Sequence, residues 1–256
     1  MQPGDVTAHP PVLLVHGSRT SRTMWRAQVE ALDRAHVPSL AVDLPGHGLR
    51  RGEPFTLDSA VDAVVDGVDA LGGRAVVVGL SLGGYVAIEA RARTPERVLG
   101  LVAASCSTAP RTRLRDAWLL AARRIEHLPD GGAALNQAVV DRTLSPGAAA
   151  DLAAGGFALD VMSAILREVG TCDPLAALGE ADSPVWLVNG RWDHFRTGER
   201  SFAAAARRGG APVRLVVVPG ARHLVSLDQP VRFSRVLLEA VADVERVAVP
   251  AASGGR

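Results

Sequence analysis

Ser81, Asp193 and His223 are the residues of this 256-residue chain whose types could together attack a carbonyl carbon. Ser81 lies in Gly79-Leu80-Ser81-Leu82-Gly83, directly after a run of valines. Asp193 closes Asn189-Gly190-Arg191-Trp192-Asp193, and His223 closes Gly220-Ala221-Arg222-His223, each again after an apolar run. A hydroxyl is a weak nucleophile until a base takes its proton, and an imidazole base needs an acid to hold its tautomer. The order Ser…Asp…His, with each residue following a separate apolar run, lets one sheet edge gather all three. The glycines around Ser81 permit the sharp turn that would present its hydroxyl.

Other polar residues compete for these roles. Asp182 precedes its apolar run and Asp228 follows the histidine, so both are badly placed as the acid. His194 is adjacent to Asp193 but does not end the last apolar run, as His223 nearly does. His16 and His47 belong to turn sequences and read as structural hydrogen-bonders, and Asp43 as a brace for the loop after its strand. Trp25 reads first as a packing residue and second as a wall of an acyl pocket. Trp118 is the matching candidate for substrate contact from the middle of the chain.

Short apolar runs alternate with helical patterns from residue 11 onward. Strands are expected at 11–17, 39–43, 74–79, 97–105, 183–190 and 211–220. Between them, helices are expected at 23–35 with Thr23 as cap, from Thr56 to Leu71, at 82–93, at 198–208 and from about Gln229. Continuous apolar strands alternating with amphipathic helices describe an α/β fold, a parallel sheet of about six strands covered on both faces. Residues 106–180 break the rhythm with helix-forming sequence interrupted at 129–132, 145–147 and 155–156. They read as a helical lid inserted into a core of residues 1–105 and 181–256. Ligands of parallel α/β sheets bind at the carboxyl ends of the strands, so an insertion leaving a strand end is placed to roof that site. Within the insertion, the arginines of Arg111–Trp118 and Arg123-Arg124 read as a solvated surface rather than an anion site. The last eight residues are expected to fray.

The motifs resemble those of the α/β-hydrolase superfamily over residues 11–245. "GLSLGG" is similar to its nucleophile turn, in the strand–turn–helix setting that turn requires. "VLLVHGSRTSRTMW" resembles the family's oxyanion segment, "AVDLPGHG" a loop after its next strand, "VNGRWDHF" its acid loop and "VPGARHLVSLDQP" its histidine loop. The resemblance implies Ser81 as nucleophile, His223 as general base and acid, and Asp193 as its orienting partner. It implies an oxyanion hole from the backbone N–H groups of Ser18 and Leu82. The activity implied is that of a serine hydrolase acting on a small, largely apolar ester, lactone or thioester, with no cofactor and no metal. The superfamily also contains carbon–carbon bond cleavage, elimination and cyclisation, and a ligand-sensing binding protein could keep the same fold. One departure stands out. Members usually begin with an antiparallel hairpin, and the 15 residues before His16 are too few for it. The strand at 39–43 then lies at or near an exposed edge, which invites pairing with a second copy as a homodimer.

Composition narrows the remaining classes. The net charge of +1 offers no electrostatic case for nucleic acid or an anionic membrane, so a small-molecule substrate is the expected partner. All 28 basic residues are arginine, and without lysine no Schiff-base or lysine-assisted chemistry is available. Cys106 and Cys172 are too few for a disulfide framework and read as free thiols of a cytoplasmic protein. No apolar run reaches the roughly 20 residues of a membrane span.

Overall fold

A computed structural model describes residues 9–248, except the side chains of residues 113–115, 118 and 248. The fraying expected of residues 249–256 falls outside the described residues. Six parallel strands form one sheet: β1 (Val12–Val15), β2 (Ser39–Val42), β3 (Ala75–Leu80), β4 (Val98–Ala104), β5 (Val185–Gly190) and β6 (Val213–Val218), in the order β2-β1-β3-β4-β5-β6. All pairings are parallel, with Val12 opposite both Ser39 and Val76 at the centre of the order reversal. Among the described residues no strand precedes β1. β2 is an edge strand, the position expected for residues 39–43, and its residues are only partly buried.

The central strands are buried on both faces because helices cover both. Alternate residues serve opposite cores. Leu13, Val15 and Val77 pack with α2 (Leu57–Ala70), α3 (Leu82–Arg93) and α9 (Glu199–Arg208). Val12, Leu14, Val76 and Val78 pack with α1 (Arg26–Arg34) and α11 (Pro230–Ala248). The helix expected from Thr56 begins there with a capping box, in which the Thr56 hydroxyl accepts from the Ser59 N–H and Ser59 reaches back to the Thr56 N–H.

The first expected helix is corrected at its start. Arg22–Trp25 form a 3-10 turn before α1, and the capping hydroxyl is Ser21 rather than Thr23. Ser21 has the extended backbone a cap requires, which places Thr23 already inside the turn as the donor. Trp25 is also corrected as a pocket wall. It is fully buried, and its ring stacks on Phe233 of α11 at 5.9 Å.

Five helices join β4 to β5: α4 (Arg113–Glu126), α5 (Ala133–Thr143), α6 (Pro146–Ala153), α7 (Met162–Val169) and α8 (Pro174–Gly179). The break between α7 and α8 was not read from sequence. Its signal was Asp173-Pro174, a cap followed by proline at the first helical position, and the Asp173 carboxylate accepts from the Ala176 N–H. Leu178 of α8 is fully buried in the core shared with α3 and α9. A short helix, α10 (Val225–Asp228), follows the histidine loop.

Candidate active site

The strand order reverses between β1 and β3, and such a switch point opens a crevice at the carboxyl ends of the strands. Ser81 follows β3 there. Its backbone sits at φ +54°, a region that costs a β-substituted residue energy, and this strain turns the side chain out of the strand-to-helix bend. Ser81 occupies the N-cap of α3, where a serine hydroxyl ordinarily accepts from the helix's first turn. It makes no such capping bond. Its Oγ instead lies 3.0 Å from His223 Nε2.

Two close backbone approaches make that turn possible. A Cβ on Gly79 would stand 2.1 Å from the Gly83 carbonyl oxygen, and a Cβ on Gly83 would stand 2.2 Å from that of Val15. The start of α3 therefore lies directly against the ends of β3 and β1. The hydrogen bond from the Ser81 N–H to the Ala104 carbonyl, 2.8 Å, ties the same turn to β4.

Asp193 and His223 reach the edge from β5 and β6. His223 Nδ1 lies 3.0 Å from Asp193 Oδ1, and the same oxygen accepts from the Phe195 N–H at 2.8 Å. With Nδ1–H donated to the carboxylate, Nε2 is left as the acceptor for the Ser81 hydroxyl. The acid and histidine loops are joined by the Trp192 N–H donating to the Ala221 carbonyl at 3.0 Å. Only glycine fits at 190, where a Cβ would meet the Arg222 oxygen at 2.1 Å.

The Asp193 side chain is completely buried. Burial acts to raise its pKa, but the hydrogen bond and charge of His223, the Phe195 N–H and the Ser105 hydroxyl outweigh it and hold the carboxyl below its ordinary value. Ser105 was not singled out in the sequence, though it ends β4's apolar run as Ser81 ends that of β3. It is buried at φ +53°, and among the described residues no hydrogen bond of ordinary geometry is made by its Oγ or by Asp193 Oδ2.

The rival acids are otherwise engaged. Asp182 pairs with Arg91, while Asp228 accepts from the Arg222 N–H and pairs with its guanidinium. His194 is exposed, with its ring 5.2 Å from that of His223; partial burial, then His223, lowers its pKa. His16 is a structural histidine. Its Nε2 accepts from the Leu44 N–H at 3.0 Å, so Nδ1 carries the proton given to the Gly17 carbonyl at 2.7 Å. Complete burial and the neighbouring His47 push its pKa down to about 3, so it stays neutral. Asp43 braces the loops around it, accepting from the Arg22 and Leu49 N–H groups and pairing with the Arg22 guanidinium.

The loop after β1 passes against the nucleophile turn, since a Cβ on Gly17 would lie 3.7 Å from Ser81 Cβ. Thr20 fixes that loop by donating to the Gly17 carbonyl at 2.9 Å. No intrachain hydrogen bond among the described residues takes up the N–H of Ser18 or Leu82. The side chain of Trp118 lies outside the described residues. Between β4 and β5, Arg111 donates to the carbonyls of Gly170 and Thr171, and Arg123 and Arg124 are exposed. Among the described residues there is no cluster of three or more His, Cys, Asp or Glu side chains arranged to hold a metal, and no helix is long and apolar enough to cross a membrane.

The sequence profile described as the alpha/beta hydrolase family matches residues 12–236. The chain belongs to the alpha/beta hydrolase family. Among solved structures, a thermophilic esterase from Thermogutta terrifontis is 26% identical over 92% of this chain and 90% of its own, with a TM-score of 0.75. NosK from Streptomyces actuosus is 30% identical over 94% of this chain and 99% of its own, with a TM-score of 0.66. Among curated relatives, the pimeloyl-[acyl-carrier protein] methyl ester esterase of Neisseria meningitidis serogroup C is 39% identical over 124 residues, 48% of this chain. The chain spans 42% of that relative's length.

Proposed function

We propose that this alpha/beta hydrolase cleaves a carboxylic ester, lactone or thioester through an acyl-enzyme on Ser81. The observation that carries the reading is the continuous path Asp193–His223–Ser81, with both links at 3.0 Å. The names of the partially matching relatives, methyl ester esterases, support an ester over the other family chemistries.

The Ser81 hydroxyl attacks the carbonyl carbon as its proton passes to His223 Nε2. Asp193, held in its ionised form, steadies the imidazolium through Nδ1. The N–H groups of Ser18 and Leu82 receive the oxyanion, and each such donor contributes about 10²–10³ in turnover. The tetrahedral intermediate collapses, and the leaving alkoxide or thiolate takes the Nε2 proton. Water then attacks the acyl-Ser81 ester, again giving its proton to Nε2. Collapse of this second intermediate returns that proton to Ser81 and releases the carboxylic acid. The helices between β4 and β5 act as the roof of this site, with a small, largely apolar acyl group beneath them.

The test is intact-mass analysis after treatment with a fluorophosphonate probe, beside Ser81→Ala. A one-to-one adduct on the wild type alone is expected. No adduct on folded wild type would overturn the hydrolase reading and leave a binding role or non-hydrolytic chemistry.

A further inference from the structure

The oxyanion loop carries a charge that the hydrolytic cycle does not use. Arg19 follows Ser18 directly and sits at φ +63°, a conformation that suits glycine and costs a side-chain-bearing residue about 1 kcal/mol or more. The conformation is held from outside, because the Arg19 carbonyl accepts from the Ala158 N–H, between α6 and α7, at 3.1 Å. Ser18 and Arg19 are thus fixed between the nucleophile turn on one side and the helical segment on the other.

The guanidinium has no hydrogen bond or ion pair among the described residues. Carboxylates on adjoining elements are committed elsewhere: Asp43 to Arg22, Asp151 of α6 to Arg26, and Asp160 to Arg51. Arg50, Arg93 and Arg196 have pKa values raised by carboxylate partners, whereas surrounding protein lowers that of Arg19. Yet its surface is open to water. The unpaired guanidinium leaves the chain one residue after Ser18, from backbone tied to the segment that follows α6. It keeps its charge there, since arginine does not deprotonate in proteins.

We infer that Arg19 receives an anionic group of the substrate, a carboxylate at the far end of an otherwise apolar acyl chain. The guanidinium offers a carboxylate a planar fork of donors, two residues from the glycine packed on Ser81. The inference rests on the hydrolase reading for where the acyl chain lies, and it narrows the substrate to half-esters of dicarboxylic acids.

The test compares mono-para-nitrophenyl glutarate with para-nitrophenyl valerate, esters of equal chain length that differ in the terminal carboxylate. Wild type, Arg19→Gly and Arg19→Lys are assayed; glycine suits the positive φ, so the backbone is not newly strained. In Arg19→Gly the ratio of kcat/KM for the charged over the neutral ester should fall about tenfold, through KM, and Arg19→Lys should restore part of it. An unchanged ratio would overturn the inference, because a purely structural loop residue moves both esters together. Should the wild type take neither ester nor fluorophosphonate, the hydrolase reading is what has failed. Calorimetry with glutarate then decides Arg19: binding about tenfold weaker in Arg19→Gly upholds the anion site, and equal binding removes it.

Discussion

Every residue of β3 and β5 is buried, whereas α5, in the segment that joins β4 to β5, buries only Asn136 and Val140 and leaves Leu135 and Val139 about half exposed. The sheet edge is fixed by backbones in direct contact, at positions where no Cβ fits. The helical segment is fixed by separate polar ties: Arg222 to the Thr143 carbonyl, the Leu57 N–H to Glu168, Arg51 to Asp160 and Arg26 to Asp151. The contrast teaches where change is tolerated. The edge that gathers Ser81, Asp193 and His223 admits almost none, while the segment between β4 and β5 can vary its surface.

The largest test of this contrast is Gly83→Ala. Its Cβ would meet the carbonyl oxygens of Val15, the last residue of β1, and of His16, which follows it, where close packing leaves little room to yield. Urea unfolding should show a loss of about 3 kcal/mol or more. A loss below about 1 kcal/mol would show that the turn is looser than these contacts describe.

Acid should act on the edge next. His16 has a folded pKa of about 3 against an ordinary 6.5, so only the unfolded chain gains its proton between those values. Its contribution is complete above pH 6.5 and is lost as pH falls toward 3, amounting to roughly 3–5 kcal/mol over the whole span. Asp43 and Asp193, with lowered carboxyl pKa values, add losses of the same sign at the acid end. Unfolding midpoints at pH 7 and pH 4.5 should therefore separate widely in the wild type. In His16→Asn, less stable at pH 7, they should separate less; equal separation would remove His16 as the source.

The smallest change sharpens the comparison from the other side. A Cβ on Gly147, inside α6, would meet nothing within 4 Å. Gly147→Ala should stabilise the protein by about 0.5–1 kcal/mol, through helix propensity alone. A destabilisation would mean that the segment is packed as closely as the edge.

The sheet was legible because its strands are buried on both faces and so appear as unbroken apolar runs. Thr56 likewise announced its helix through a cap that acts locally. The start of α1 was misread because Ser21 and Thr23 are equally good caps by type, and only the extended backbone at Ser21 chooses between them. Trp25 carried no label separating pocket from core, and the face of α11 that receives it lies more than 200 residues away in the chain. Ser105 went unnoticed because its meaning depends on Asp193, which follows a different strand.

The sequence by itself determined the parallel α/β architecture, the order of the strands' polar ends and the three residues able to form a proton path. Periodicity and local turn chemistry are properties of neighbours along the chain. Only the tertiary structure decided that His223 stands between Ser81 and Asp193 while Asp228 and Asp182 are held by arginines, that Ser81 forgoes its helix cap, and that Arg19 has no counter-ion among the described residues. Each of these depends on pairs brought together across the sheet, where a hydrogen bond or a 2 Å clash is settled by distance in space rather than by separation in sequence.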